Sequence, residues 1–116
     1  MSINAPEREQ AQAYLRDVVF RLQARIRANS LTGSEMILGC REILHLWLKG
    51  GGATLDDAVI GITGIESQTD HVLGGSYKRF ERGSEAEARE VEELGRFFDE
   101  SFKRVVAELA LHLDGR

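Results

Sequence analysis

Residues 55–73, LDDAVIGITGIESQTDHVL, decide how this chain is read. Wound at about 100° per residue, Leu55, Ala58, Val59, Ile62, Ile65, Thr69, Val72 and Leu73 share one face, so the spacing predicts an amphipathic helix over 55–73. Glu66 falls inside that face. A carboxylate on a core stripe is costly unless it is paired or neutralised. The pattern therefore predicts either a cation reaching Glu66 from another helix or a polar pocket built around it.

The same period runs on both sides. A first helix is expected near 6–29, because Pro6 suits the first helical position and Glu7 and Glu9 suit the first turn. Its stripe is Ala11, Tyr14, Leu15, Val18, Val19, Leu22 and Ile26. A second helix, 33–49, opens on a capping box, Thr32 with Glu35, and stops at Gly50-Gly51-Gly52. The helix over 55–73 has a looser start, Thr54 with Asp57, and a glycine stop at Gly74-Gly75. A fourth, 84–113, opens on Ser84 with Glu87 and aligns Val91, Leu94, Phe98, Phe102, Val105, Leu109 and Leu113. No segment alternates at period two, and there are no internal repeats. Short connections after the first and second helices make antiparallel neighbours, while the irregular stretch 74–83 leaves room for an altered order or handedness. The expected fold is one all-α domain over 1–116, an antiparallel four-helix bundle of up-down-up-down order.

Composition narrows the class. A hydrophobic content of 42% beside 29% charged residues fits a globular chain rather than a disordered one. The single cysteine, Cys40, excludes an internal disulfide and a multi-cysteine zinc site. No apolar run approaches the roughly 18–20 residues of a membrane span. Glu7, Arg8 and Glu9 stand where a secretion signal needs an apolar core, so a cytoplasmic address and no membrane partner are expected. The net charge of −4 is uneven: residues 1–31 carry five Arg against three acids, and residues 81–116 ten acids against six cations.

Folding the chain about its turns sets Arg25 at the height of Glu66, which predicts a buried bidentate pair with Arg21 as reserve partner. That pair either fixes register or, with Thr69 and Asp70, lines a ligand pocket between helices. No metal or cofactor is expected. Glu42-x-x-His45 is a single motif pointing away from the apolar face, and Glu108-x-x-x-His112 is also single, whereas di-iron bundles converge two such motifs and further carboxylates. Cys40 and His45 lie roughly 140° apart at this helical period and cannot form a local nucleophile–base pair. Cys40 reads as a core thiol and His71 as solvent-facing. Asp56 and Asp57 are explained by helix polarity, and Gly50-Gly51-Gly52 lacks the Lys-Ser/Thr of a phosphate loop.

Phe20, Leu38, Phe97 and Leu111 fall off the core faces, and Trp47 belongs to an unusually wide apolar arc on the second helix. Together they predict a protein interface, most simply a twofold dimer. The segment 74–83 holds a surface contact loop, Tyr77, Lys78, Arg79, Phe80 and Arg82, in which the rings plug one end of the bundle and the cations stay wet. The acidic balance disfavours nucleic acid as its partner. The expected function is a non-enzymatic protein–protein interaction module, homodimeric or of adaptor or immunity type. The alternative is a small-ligand-binding or enzymatic bundle with its pocket at Arg25, Glu66, Thr69 and Asp70.

Overall fold

The computed structural model describes residues 5–50 and 57–114, without the side chains of Asp57, Ala58 and Asp114. It is all-helical, with five helices and no strand among the described residues: α1 Ala5–Arg27, α2 Gly33–Lys49, α3 Asp57–Gln68, α4 Glu85–Phe97 and α5 Asp99–Asp114. The Thr54 cap, the start at Leu55 and Asp56 lie outside the described residues.

Local chemistry explains most boundaries. Beyond the last turn of α1, Asn29 adopts φ 54°, a left-handed position that Asn tolerates, and Ser30 N–H returns to the Arg25 carbonyl at 3.0 Å. Thr32 caps α2 through a complete capping box with Glu35. The Ser84 hydroxyl likewise accepts from Glu87 N–H at 3.1 Å, but the reciprocal half is missing. The Glu87 carboxylate turns instead to the backbone N–H groups of Leu73 and Gly83, both at 3.1 Å.

Two boundaries differ from the sequence reading. The expected helix over 55–73 stops at Gln68, and residues 69–73 form turns that end with Leu73 at φ 52° and Gly74 at φ 76°. The expected helix over 84–113 is two helices hinged at Phe98, whose φ −95° and ψ 6° leave the helical range. The apolar stripe runs through the hinge, with Val91, Phe98, Phe102, Val105, Leu109 and Leu113 all buried. Periodicity therefore could not reveal the change of direction.

Packing supplies the reason for the hinge. α1 packs on α2 and α5, and α3 packs on the same two helices, so α1 and α3 lie diagonally across the core. α4 leaves this set to pack on α2, and it crosses at two glycines. A Cβ built on Gly95 would lie 2.9 Å from the Gly33 Cα, and one on Gly33 would lie 2.5 Å from the Val91 carbonyl oxygen. The backbones can meet only because both side chains are absent. Phe102, Met36, Ile37, Ile43, Ile62 and Leu109 are the largest fully buried side chains of the core between the helices.

Two glycine substitutions should have opposite signs. Gly33→Ala forces α2 away from α4 and should cost about 1–3 kcal/mol. Gly64→Ala, in the α3 interior with nothing within 4 Å of the added methyl, should stabilise by about 0.5–1 kcal/mol. Urea unfolding of both variants checks the pair.

Candidate functional site

The expected Arg25–Glu66 pair is not made. Arg25 forks onto Glu35, Nε to Oε2 at 2.9 Å and Nη2 to Oε1 at 3.0 Å, near the α1–α2 turn. Glu35 also accepts from Thr32 N–H at 3.0 Å. Its carboxyl is held below the usual range, first by Arg25 and then by the Thr32 N–H. Arg21, the reserve partner, meets Glu42 at 3.4 Å. The reason is topological: α1 and α3 are not neighbours, so a height match between them brings no contact.

Glu66 is half-buried, and no described cation lies within ion-pair distance of it. Its charge is felt by Cys40. The fully buried Cys40 thiol is pushed up to about 12, mainly by burial, then by Glu66, with Arg41 acting in the opposite direction. A thiol so protonated is a poor nucleophile. Thr69 is fully buried, and its hydroxyl bonds back to the Ile65 and Glu66 carbonyls at 2.9 and 3.2 Å. Asp70 serves the following turn: Oδ1 accepts from Ser76 N–H at 2.9 Å, and its carbonyl accepts from Tyr77 N–H at 3.1 Å. Neither of the two described hollows is lined by Arg25, Glu66, Thr69 or Asp70.

The strongest polar constellations involve other residues. Arg41, on α2, sends Nη1 to the Leu73 carbonyl at 2.8 Å and Nη2 to the Thr69 and Val72 carbonyls at 3.0 and 2.7 Å. These carbonyls follow the end of α3, where helix geometry leaves acceptors without intrahelical partners. Glu87 is 4% exposed. Its carboxyl is held below the ordinary range chiefly by the Gly83 N–H, with the Leu73 N–H and the Arg82 charge assisting and burial opposing. His71 does not face solvent as expected: its Nε2 lies 2.7 Å from Glu90 Oε2, and its ring packs 6.3 Å from that of Phe80.

Both central residues left a trace in the sequence. Arg41 borders the apolar arc formed by Ile37, Cys40, Leu44 and Leu48, about 20° beyond Leu48 at 100° per residue, and Glu87 is four residues before Val91 on the same stripe. Glu87 is a charge where an apolar residue was due, as Glu66 was, and Arg41 is a charge at the border of an apolar face.

The expected interface residues separate. Trp47 is buried, with its ring 6.2 Å from that of His112, and Phe20 packs partly buried against the core. Leu38, Phe97 and Leu111 remain exposed, the last two at 76% and 72%. In the contact loop Tyr77, Lys78, Arg79 and Arg82 are exposed and Phe80 is half-buried against the core, so only one of the two rings acts as a plug. An open groove of about 550 Å³ lies between the start of α2 and α4, with Leu31, Met36 and Val91 beside Thr32, Ser34 and Arg96. A smaller hollow of about 310 Å³ is flanked by Tyr14, His45 and Lys49.

Among the described residues no group of three or more His, Cys, Asp or Glu is placed to hold a metal ion. No described helix is long and apolar enough to cross a membrane. The chain matches no protein-family model, no curated protein and no solved structure.

Two substitutions test these constellations. Arg41→Met takes the donor from the Thr69 and Leu73 carbonyls, leaves Val72 with only the Gly75 N–H, and should cost about 2–3 kcal/mol in urea unfolding. Glu87 has a depressed folded pKa, so its contribution is present above the unfolded carboxylate range, about 4.3, and is lost as pH falls through the folded value. The melting-temperature gap between wild type and Glu87→Gln should therefore be full at neutral pH and shrink steadily below about pH 4.

Proposed function

We propose that this chain is a non-enzymatic protein–protein interaction module of the helical-bundle type that acts as a homodimer. The observation that carries the reading is where apolar and polar groups end up. Phe97 and Leu111 stand at 76% and 72% exposure on α4 and α5, and Leu48 at 65% on α2. Meanwhile Arg25, Arg41, Thr69, Asp70 and Glu87 are engaged in bonds within the fold. Large apolar side chains on a surface whose polar clusters are internally engaged mark a place where another protein docks. An adaptor or immunity-type role matches a small acidic module of this kind by analogy of architecture alone. A cytoplasmic setting is consistent with the single, buried Cys40.

The groove beside α4 favours a second reading, a small-ligand binder, since about 550 Å³ falls in the size range of such sites. A metabolite at about 100 times its dissociation constant would add about 2.7 kcal/mol of stability in a thermal-shift screen.

Light scattering during size exclusion tests the first reading. At about 50 μM the wild type should elute with twice the chain mass, and Phe97→Ser with Leu111→Ser should return it to a monomer that still unfolds cooperatively, with a melting temperature that no longer rises with protein concentration. A monomeric wild type overturns the dimer.

A further inference from the structure

We infer that the turn Tyr77–Arg82 is a docking surface for a short acidic segment of another protein. The inference rests on the interaction-module reading and names the chemistry of a partner. Lys78, Arg79 and Arg82 are exposed and crowd into five residues, with Glu81 the one acid among them, in a chain of net charge −4. Elsewhere Arg21, Arg25, Arg96 and Lys103 each meet a carboxylate within 3.4 Å. None of the three loop cations does so among the described residues. Cations outside the loop without an ion pair among the described residues, such as Arg27, Lys49, Arg89 and Arg104, are spread along the chain and not clustered. The Arg82 charge is felt by Glu87 beneath the turn, but without an ion pair. Arg79 lies over the Phe80 ring, 5.9 Å from its centre, and Tyr77 projects beside them at 68% exposure.

The backbone carrying these groups is fixed before any partner arrives. Asp70 takes the N–H groups of Ser76 and Tyr77, and Glu87 takes those of Leu73 and Gly83. His71 bonds to Glu90 and packs against Phe80. A pinned turn lowers the ordering cost of association, and an exposed Tyr among Arg side chains has the composition of an interface hot spot. Unneutralised cations select carboxylates, and the phenol selects an adjacent apolar side chain. Single-stranded nucleic acid is the weaker match. Binding of that kind stacks successive bases on several rings, whereas Tyr77 alone is exposed and Phe80 is half-buried. The acidic remainder of the chain would also repel a long polyanion.

The test is a titration of the full chain, followed by amide chemical shifts, with a short peptide of Glu residues around one Phe. Shifts should concentrate in residues 74–83 and weaken with added salt. The double variant Lys78→Glu and Arg79→Glu should bind about tenfold more weakly while keeping the wild-type melting temperature. If it does not fold, Lys78→Gln with Arg79→Gln replaces it and should weaken binding in the same direction. Absence of shifts in 74–83, or tighter binding of a short oligothymidylate, overturns the inference. The two proposals fail separately: the monomeric Phe97→Ser, Leu111→Ser variant should still bind the peptide, and loss of peptide binding leaves the light-scattering result standing.

Discussion

A guanidinium from one helix closes the end of another, and much of the molecule's architecture follows from that contact. Arg41 reaches from α2 to the carbonyls of Thr69, Val72 and Leu73 at 2.7–3.0 Å. Charge-assisted bonds to these acceptors are stronger than neutral ones, and they favour turns over another helical repeat after Gln68. With α3 ended there, Leu73 and Gly74 take left-handed backbone angles. The Leu73 N–H is then left for Glu87, and His71 meets Glu90. One cation thus ties α2 to α3 and, through the turn it shapes, α3 to the start of α4.

The interior charges form a consistent set. Arg41 neutralises helix-end carbonyls rather than a carboxylate, and Glu87 accepts backbone N–H groups rather than a cation. Both satisfy backbone groups that would otherwise be stranded, which is the commonest need of a helix terminus or a tight turn. Glu66, by contrast, sits half-buried beside Cys40, and its electrostatic effect falls on a thiol that burial already keeps protonated. The expectation that Glu66 is answered by a cation is not met, since a half-buried carboxylate can keep its charge hydrated. The interior charges that carry structural bonds are Arg41 and Glu87.

This division of labour shapes the surface. Because the polar clusters close on the fold itself, the features turned outward are large apolar side chains on α2, α4 and α5, a groove beside the Gly33–Gly95 crossing, and a pinned turn of cations. A groove exists there because two glycines let α4 approach α2 so closely, and the rim is polar because the capping residue Thr32 and the hinge acid Asp99 border it.

Helical content, most core residues and the caps at Thr32 and Ser84 were legible in the sequence, because each depends on neighbours within about four positions along the chain. Val19, Ile37, Ile43, Ile62 and Leu109 had to be buried wherever their helices went. The partners of Arg41 and His71, and the bond from the Leu73 N–H to Glu87, were not legible, since each joins groups whose distance is set by how separate elements pack. The hinge at Phe98 was hidden for a related reason: the stripe is equally apolar on both sides, and only the close fit of Gly95 on Gly33 redirects α4. Local periodicity settled which faces turn inward, while tertiary packing alone chose which polar groups meet, because that choice depends on helix adjacency and not on spacing along any one helix.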